Sequence, residues 1–406
     1  MDQLHLGYGL VGSLAVATAV MSARLRELPL SEPLLALLLG ILVGPQVLAL
    51  VDGPVDRMPG LVEELARALL AVSLMGVGLR FHARTLRPVV APTLVLVTVG
   101  MLAMAASTAA LVWWVLDVPL ALAVLIGACL APTDPVLSSS SVTGRPAERD
   151  LPVRTRQLLS MESGANDGLA LALVVVGGAL VLGTSPGSAV VDGAREVLVG
   201  AVVGLVAGWV AGGATRYAAR HADEDRGSAL VLTLLLALAV LGLARVADAD
   251  GVLAVFVASL TYNRIVGDSL TGPQDTVDEA VNRYLVLPLF FLLGVHLQWS
   301  EWVELGWAAI VLPIGVLLLR RLPVLLALSP LVGLRLRDAV FLGWFGPIGV
   351  SALFYLAHSE VRGVTEPLLW SVGTLVVAAS TVAHGVSATP GRRLYRRAAS
   401  AGRSDA

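Results

Sequence analysis

Thirteen apolar stretches, each near the ~20 residues that cross the hydrocarbon of a bilayer, follow one another along this chain with only short polar loops between them. They fall at about 6–23, 30–50, 61–79, 88–115, 119–141, 156–182, 194–213, 228–246, 250–266, 281–297, 305–328, 338–358 and 366–388. No interval is long enough for a separate soluble domain. Composition agrees: 56% of the 406 residues are hydrophobic and only 14% charged, where a soluble domain carries about 25% charged residues. The expected fold class is an all-α polytopic membrane protein with about 13 transmembrane helices.

The cationic residues supply an orientation. All 28 are arginine, which removes lysine as a proton carrier. Twenty-one fall in or beside alternate loops and the tail, and only four in the intervening loops. The positive-inside rule then places the N-terminus outside and the C-terminus in the cytoplasm, as an odd number of spans requires. No positive charge precedes the first apolar run, so it reads as a spanning helix rather than a cleaved signal. The single cysteine, Cys129, rules out an intrachain disulfide and a cysteine-based metal site.

Against this background the sixth stretch, LLSMESGANDGLALALVVV, is chemically costly, because ionisable groups inside a span are expensive and mark function by default. On a helix Ser163 lies one turn from Asp167, and Glu162 one turn from Asn166. Asn166 and Ser163 are explained by polar helix–helix contact. Asp167 is not: a carboxylate in low dielectric needs a cation or a proton.

The fifth stretch reads PLALAVLIGACLAPTDPVLSSSS. Pro132 and Pro135 each remove a backbone donor and clash with the preceding turn, so the helix should unwind around Thr133 and Asp134. Irregular backbone at membrane depth lines a cavity or is buried in protein. Freed carbonyls, the Thr133 hydroxyl and the Asp134 carboxylate are hard oxygen ligands suited to an alkali cation. The twelfth stretch, VFLGWFGPIGVSALFYLA, is a second breakable helix through Gly343, Gly346, Pro347 and Gly349. Stretches 5 and 12 run in opposite directions. Paired interrupted helices in two inverted halves mark the site of a secondary transporter, here with stretches 4–6 matched to 11–13 by spacing alone.

These residues carry a resemblance to the NhaP-type branch of the monovalent cation:proton antiporters, related to animal sodium/proton exchangers. It rests on APTDP (131–135), ESGANDG (162–168), DGVLAVFVA (250–258), RLPV (321–324), GWFGP (343–347) and HGVSATP (384–390). The resemblance implies a 13-helix homodimer in the cell membrane, with two crossing broken helices in a core (about 88–182 and 305–388) and a dimerisation scaffold (about 6–79 and 194–297). A short basic cytoplasmic tail, 391–406, suited to the membrane surface, would follow a single transporter domain, 1–390. It implies Asp167 as the ion- and proton-binding carboxylate, with Asp134, Ser163 and Thr133 completing the site. Asn166 stands where the electrogenic branch has a second Asp, which implies one-for-one exchange. Where the family reads GPRG, this chain has Ile348, so Glu162 needs another cation. Arg321 is the family's match, with Arg320 beside it.

The expected partners are monovalent cations, protons and lipid. No G-x-x-x-x-G-K-[ST] motif is present, so neither nucleotide nor other cofactor is expected, nor nucleic acid. Three rival readings remain: an intramembrane aspartyl protease using Asp134 and Asp167, an organic-anion symporter needing a free positive charge at its site, and an ion channel. Glu63 and Glu64 read as outer-interface residues. His358 and His384 read as interfacial or internally bonded groups.

Overall fold

The computed structural model describes residues 2–21, 28, 30–51, 59–81, 83–221 and 226–404, and among these every ordered element is helical. The helices are α1 (Asp2–Val20), α2 (Glu32–Val43), α3 (Pro59–Leu79), α4 (Ala83–Val95), α5 (Met101–Leu116), α6 (Leu120–Leu130), α7 (Pro135–Val142), α8 (Gly144–Asp150), α9 (Val153–Val181) and α10 (Pro186–His221). They continue as α11 (Arg226–Val246), α12 (Gly251–Val266), α13 (Asp268–Val295), α14 (Trp299–Glu304), α15 (Ala308–Leu319), α16 (Leu322–Val332), α17 (Leu336–Trp344), α18 (Val350–Val361) and α19 (Pro367–Ser404). Each apolar stretch carries one or two of them. Six described helical segments are long and apolar enough to cross a membrane.

Small residues set the packing. Gly200, Gly204, Gly208 and Gly212 recur every fourth residue on α10, one stripe on a helix. There the backbone comes so close to Asp250, Ala254 and Ala258 that a Cβ would collide, and at Gly212 a Cβ would press on Ile265. Between apolar helices, such small-residue stripes replace the hydrophobic effect with close van der Waals contact. Gly164 and Gly168 likewise let α9 lie against Phe256 and Leu253 of α12. The polar run of α9 is thereby fixed at the centre of the bundle.

Both expected breaks are present. The fifth stretch divides into α6 and α7, and the twelfth into α17 and α18. The two interruptions meet, since the Asp134 N–H donates to the Pro347 carbonyl at 2.9 Å. The eleventh stretch, expected as one helix, is a third broken segment: α15 ends at Leu319 and α16 begins at Leu322. Pro323 occupies the first turn of α16, where its missing N–H is tolerated, but it cannot extend the helix from before. Arg320 and Arg321 therefore sit at a backbone break deep in the protein, 3% and 2% exposed.

Two further expectations change. The tail continues the last helix rather than starting a new segment, because α19 runs through Pro390 to Ser404. Arg396 pairs with Asp150 at 2.9 Å, and the Tyr395 hydroxyl donates to the Asp338 carboxylate. Burial opposes the charge on Asp150, but Arg149, Arg396 and Arg392 outweigh it and hold the carboxyl below its usual range. That contact therefore contributes in full above the ordinary carboxylate range and is lost as pH falls from there through the depressed value of the folded state. Glu63 and Glu64 also part company: Glu64 is exposed, whereas Glu63 is buried against Arg67 and His358.

Candidate ion-binding site

At the crossing of the two broken helices, four half-helices leave unsatisfied ends, and two charged residues meet them. The Arg320 guanidinium donates from Nη1 to the carbonyls of Leu130, Ala131 and Pro132 at 2.8, 2.9 and 3.0 Å, and from Nη2 to the Gly346 carbonyl. It caps the C-terminal, partially negative ends of α6 and α17. The freed carbonyls that sequence reasoning offered to a cation are thus already occupied by an arginine. Asp134 does the converse. Its Oδ1 accepts from the Val136 and Leu137 N–H groups at 2.7 and 3.4 Å, and its Oδ2 from the Val350 N–H, so one carboxylate caps both α7 and α18. Gly349 is required there: a Cβ would strike the Asp134 carboxylate and Leu137.

Glu162 is paired. Arg321 grips it with two parallel bonds, Nη1 to Oε1 at 2.7 Å and Nη2 to Oε2 at 2.8 Å, and Asn166 Nδ2 donates to Oε1 at 3.0 Å. Such bidentate geometry is the strongest form of the interaction. Arg321 also donates to the Leu342 carbonyl at 2.8 Å and to Thr133 Oγ1 at 2.6 Å. It spans the third break, the first break and α9. Gly346 is a glycine because a side chain would collide with the stem of Arg321.

This answers the question posed by Ile348. The side chain is fully buried among apolar neighbours, and its N–H donates to Ser380 Oγ at 2.8 Å. His384, one turn further along α19, lies 2.8 Å from the Trp344 carbonyl through Nε2 and 3.2 Å from Ser380 Oγ through Nδ1. Span 13 therefore braces both sides of the break in span 12. Ile348→Arg would add a third guanidinium beside two that already fill the acceptors. We expect it to destabilise by about 3 kcal/mol or more, read as a lower melting temperature in detergent; a rise would show that Glu162 still lacks its partner.

Asp167 is different. It is fully buried, and neither carboxylate oxygen has a hydrogen-bond partner among the described residues. Ser163 Oγ, one turn away, is also buried without a partner among the described residues, and Ser351 Oγ faces the carboxylate from α18 without completing a hydrogen bond of ordinary geometry. The Tyr355 hydroxyl donates to the Asp167 backbone carbonyl and so fixes this turn without touching the carboxylate. Of the four expected oxygen ligands, Ser163 and Asp167 stand free, while Thr133 and Asp134 are engaged. Ser351 is an addition; its apolar surroundings in GVSALFYLA gave no signal beyond its position just after a break.

This arrangement disfavours two rivals. A protease dyad needs two equivalent carboxylates, but Asp134 is bound by three backbone N–H groups. An organic anion would need a free cation, but both buried arginines at the site are spent on carbonyls and on Glu162.

The model of the sodium/hydrogen exchanger transmembrane family matches residues 11–391. Na(+)/H(+) antiporter 2 of Zygosaccharomyces rouxii is 32% identical over 89% of this chain and 46% of its own length. The K(+)/H(+) antiporter NhaP2 of Shewanella sp. (strain MR-4) is 24% identical over 95% of this chain and 67% of its own. The chain spans about half the length of the first curated relatives, 46%, 44% and 55%. The sodium proton antiporter MjNhaP1 from Methanocaldococcus jannaschii has the same fold, with a TM-score of 0.73 over 96% of this chain and 99% of that one, at 18% identity.

Proposed function

The chain belongs to the sodium/hydrogen exchanger family, and from that premise we propose that it is a secondary antiporter exchanging a monovalent cation, Na+ in the first place, for H+, one for one. The observation that carries this reading is Asp167: a buried carboxylate with no ion pair and no well-formed hydrogen bond among the described residues, faced by the hydroxyls of Ser163 and Ser351. Such a group demands a positive charge, which either a proton or a dehydrated alkali ion can supply. Occupation by one excludes the other. The ion exchanges its water for Asp167 and Ser163, with Thr133 and Asp134 contributing from positions their hydrogen bonds hold fixed. Glu162, Asn166 and Arg321 keep the turn in place. No ATP-driven step is needed; the gradients do the work.

The same reading assigns thirteen crossings, inverted repeats, a homodimer in the cell membrane with the N-terminus outside, and a core (88–182 and 305–388) that moves against the scaffold. A bare carboxylate is costly to carry across the bilayer, and that cost couples the two fluxes. The protease and organic-anion alternatives fall away with the committed Asp134 and the spent arginines.

The test is proton flux in sealed vesicles, acid inside, on addition of Na+, Li+ or K+. Alkalinisation of the lumen with at least one cation, insensitive to a clamped membrane potential, is the expected result. Silence with all three ions would refute the exchange reading.

A further inference from the structure

A second polar region lies away from the crossing. A cavity between α3, α10, α11, α12 and α18 has the exposed residues Arg245, Asp248 and Arg362 at its rim, and the buried residues Asp250, Arg67 and His358 deeper. Leu171 and Phe354 also line it. Leu171 is one helical turn from Asp167 on α9, and Phe354 adjoins Tyr355, whose hydroxyl holds the Asp167 carbonyl. The cavity lining thus comes within one turn of the candidate ion site, where Leu171 and Phe354 are the lining residues nearest to it in the chain.

Two polar atoms deep in this cavity have no partner among the described residues: Asp250 Oδ2 and His358 Nε2, on residues 2% and 4% exposed. Asp250 Oδ1 caps α12, accepting from the Val252 and Leu253 N–H groups at 2.9 and 3.0 Å. Its N–H donates to the Glu196 carbonyl at 3.1 Å. Held at both ends, the residue presents one oxygen with nothing to do. The deep arginine does not cancel it, because Arg67 is paired with Glu63 and Glu64 and lies over the Phe354 ring at 5.4 Å. Of the remaining charges, Glu196 and Asp248 offset Arg245 and Arg362. His358 is turned through Nδ1 to Glu63 at 2.9 Å.

We infer that this cavity is the access route to Asp167 from one side of the membrane, and that Asp250 is its terminal carboxylate, receiving the single positive charge, alkali ion or proton, before it passes Leu171 and Phe354. The inference rests on the antiport reading and adds a residue and a sidedness to it. By the arginine distribution the route faces outwards.

Asp250→Asn is a clean probe, because asparagine caps a helix as well as aspartate does and only the charge is lost. Exchange is measured in right-side-out and in everted vesicles, varying Na+ at fixed pH and then pH at saturating Na+. With wild type active, the variant is expected to raise the apparent KM for Na+ about tenfold in right-side-out vesicles alone, the effect of one partly screened charge. A one-sided shift of the pH profile with unchanged KM would instead identify the proton as the charge received. Equal effects from both sides, or none, would overturn the inference while leaving the antiport reading intact. A wild type silent from both sides would sink both.

Discussion

Arg321→Ala is expected to destabilise the protein by about 3–5 kcal/mol, the cost of leaving one member of a buried ion pair uncompensated, and to abolish exchange. Two bonds are lost besides the pair itself, those to Thr133 Oγ1 and to the Leu342 carbonyl. Arg321→Lys keeps the charge but not the planar fork that meets both Glu162 oxygens, and should fall between. The decisive comparison is the double variant Arg321→Ala with Glu162→Gln. If the penalty comes from a stranded carboxylate, the double variant melts above the single one. If both melt alike, the pair is incidental and the break between α15 and α16 is held by other contacts.

Asp167→Asn should bring cation-driven proton flux to background while the protein remains folded and melts no lower than wild type. The replacement has nearly the same shape, and it removes a buried charge that no described residue balances. Loss of activity with retained or raised stability is the signature of a group kept for function. Loss of both would mean that the carboxylate supports the fold, and the Ser163 and Ser351 hydroxyls that face it would then need another explanation.

Much of this was legible in the sequence, and the reason is physical. Pro132 and Pro135, and the glycines around Pro347, announce missing donors and free carbonyls, so both crossing breaks were readable. Hydropathy places Asp167 and Glu162 inside the protein, and desolvation then requires a cation for each; Arg321 was readable as the partner of Glu162. What was not readable is which distant group satisfies a freed backbone end. Arg320 was readable only as the neighbour of Arg321, yet it takes four carbonyls, and Asp134, expected as a ligand, caps two helices at once. Nothing local distinguishes those fates. Pro323 carried the signal for the third break, but an apolar run on either side hid it. Glu63 was misplaced because it adjoins exposed Glu64, although neighbours on a helix face different ways. The tail was expected as a piece apart from the last stretch, but the helix runs on through Pro390, and Tyr395 and Arg396 join it to Asp338 and Asp150.

The measurement that bears most directly on the central claim is the apparent KM for Na+ as a function of pH in wild-type vesicles. Competition for one carboxylate predicts that KM rises about tenfold for each unit of acidification below the carboxyl's pKa, with the maximal rate unchanged. A KM independent of pH, with the maximal rate falling instead, would mean that proton and cation occupy separate sites and would contradict the account.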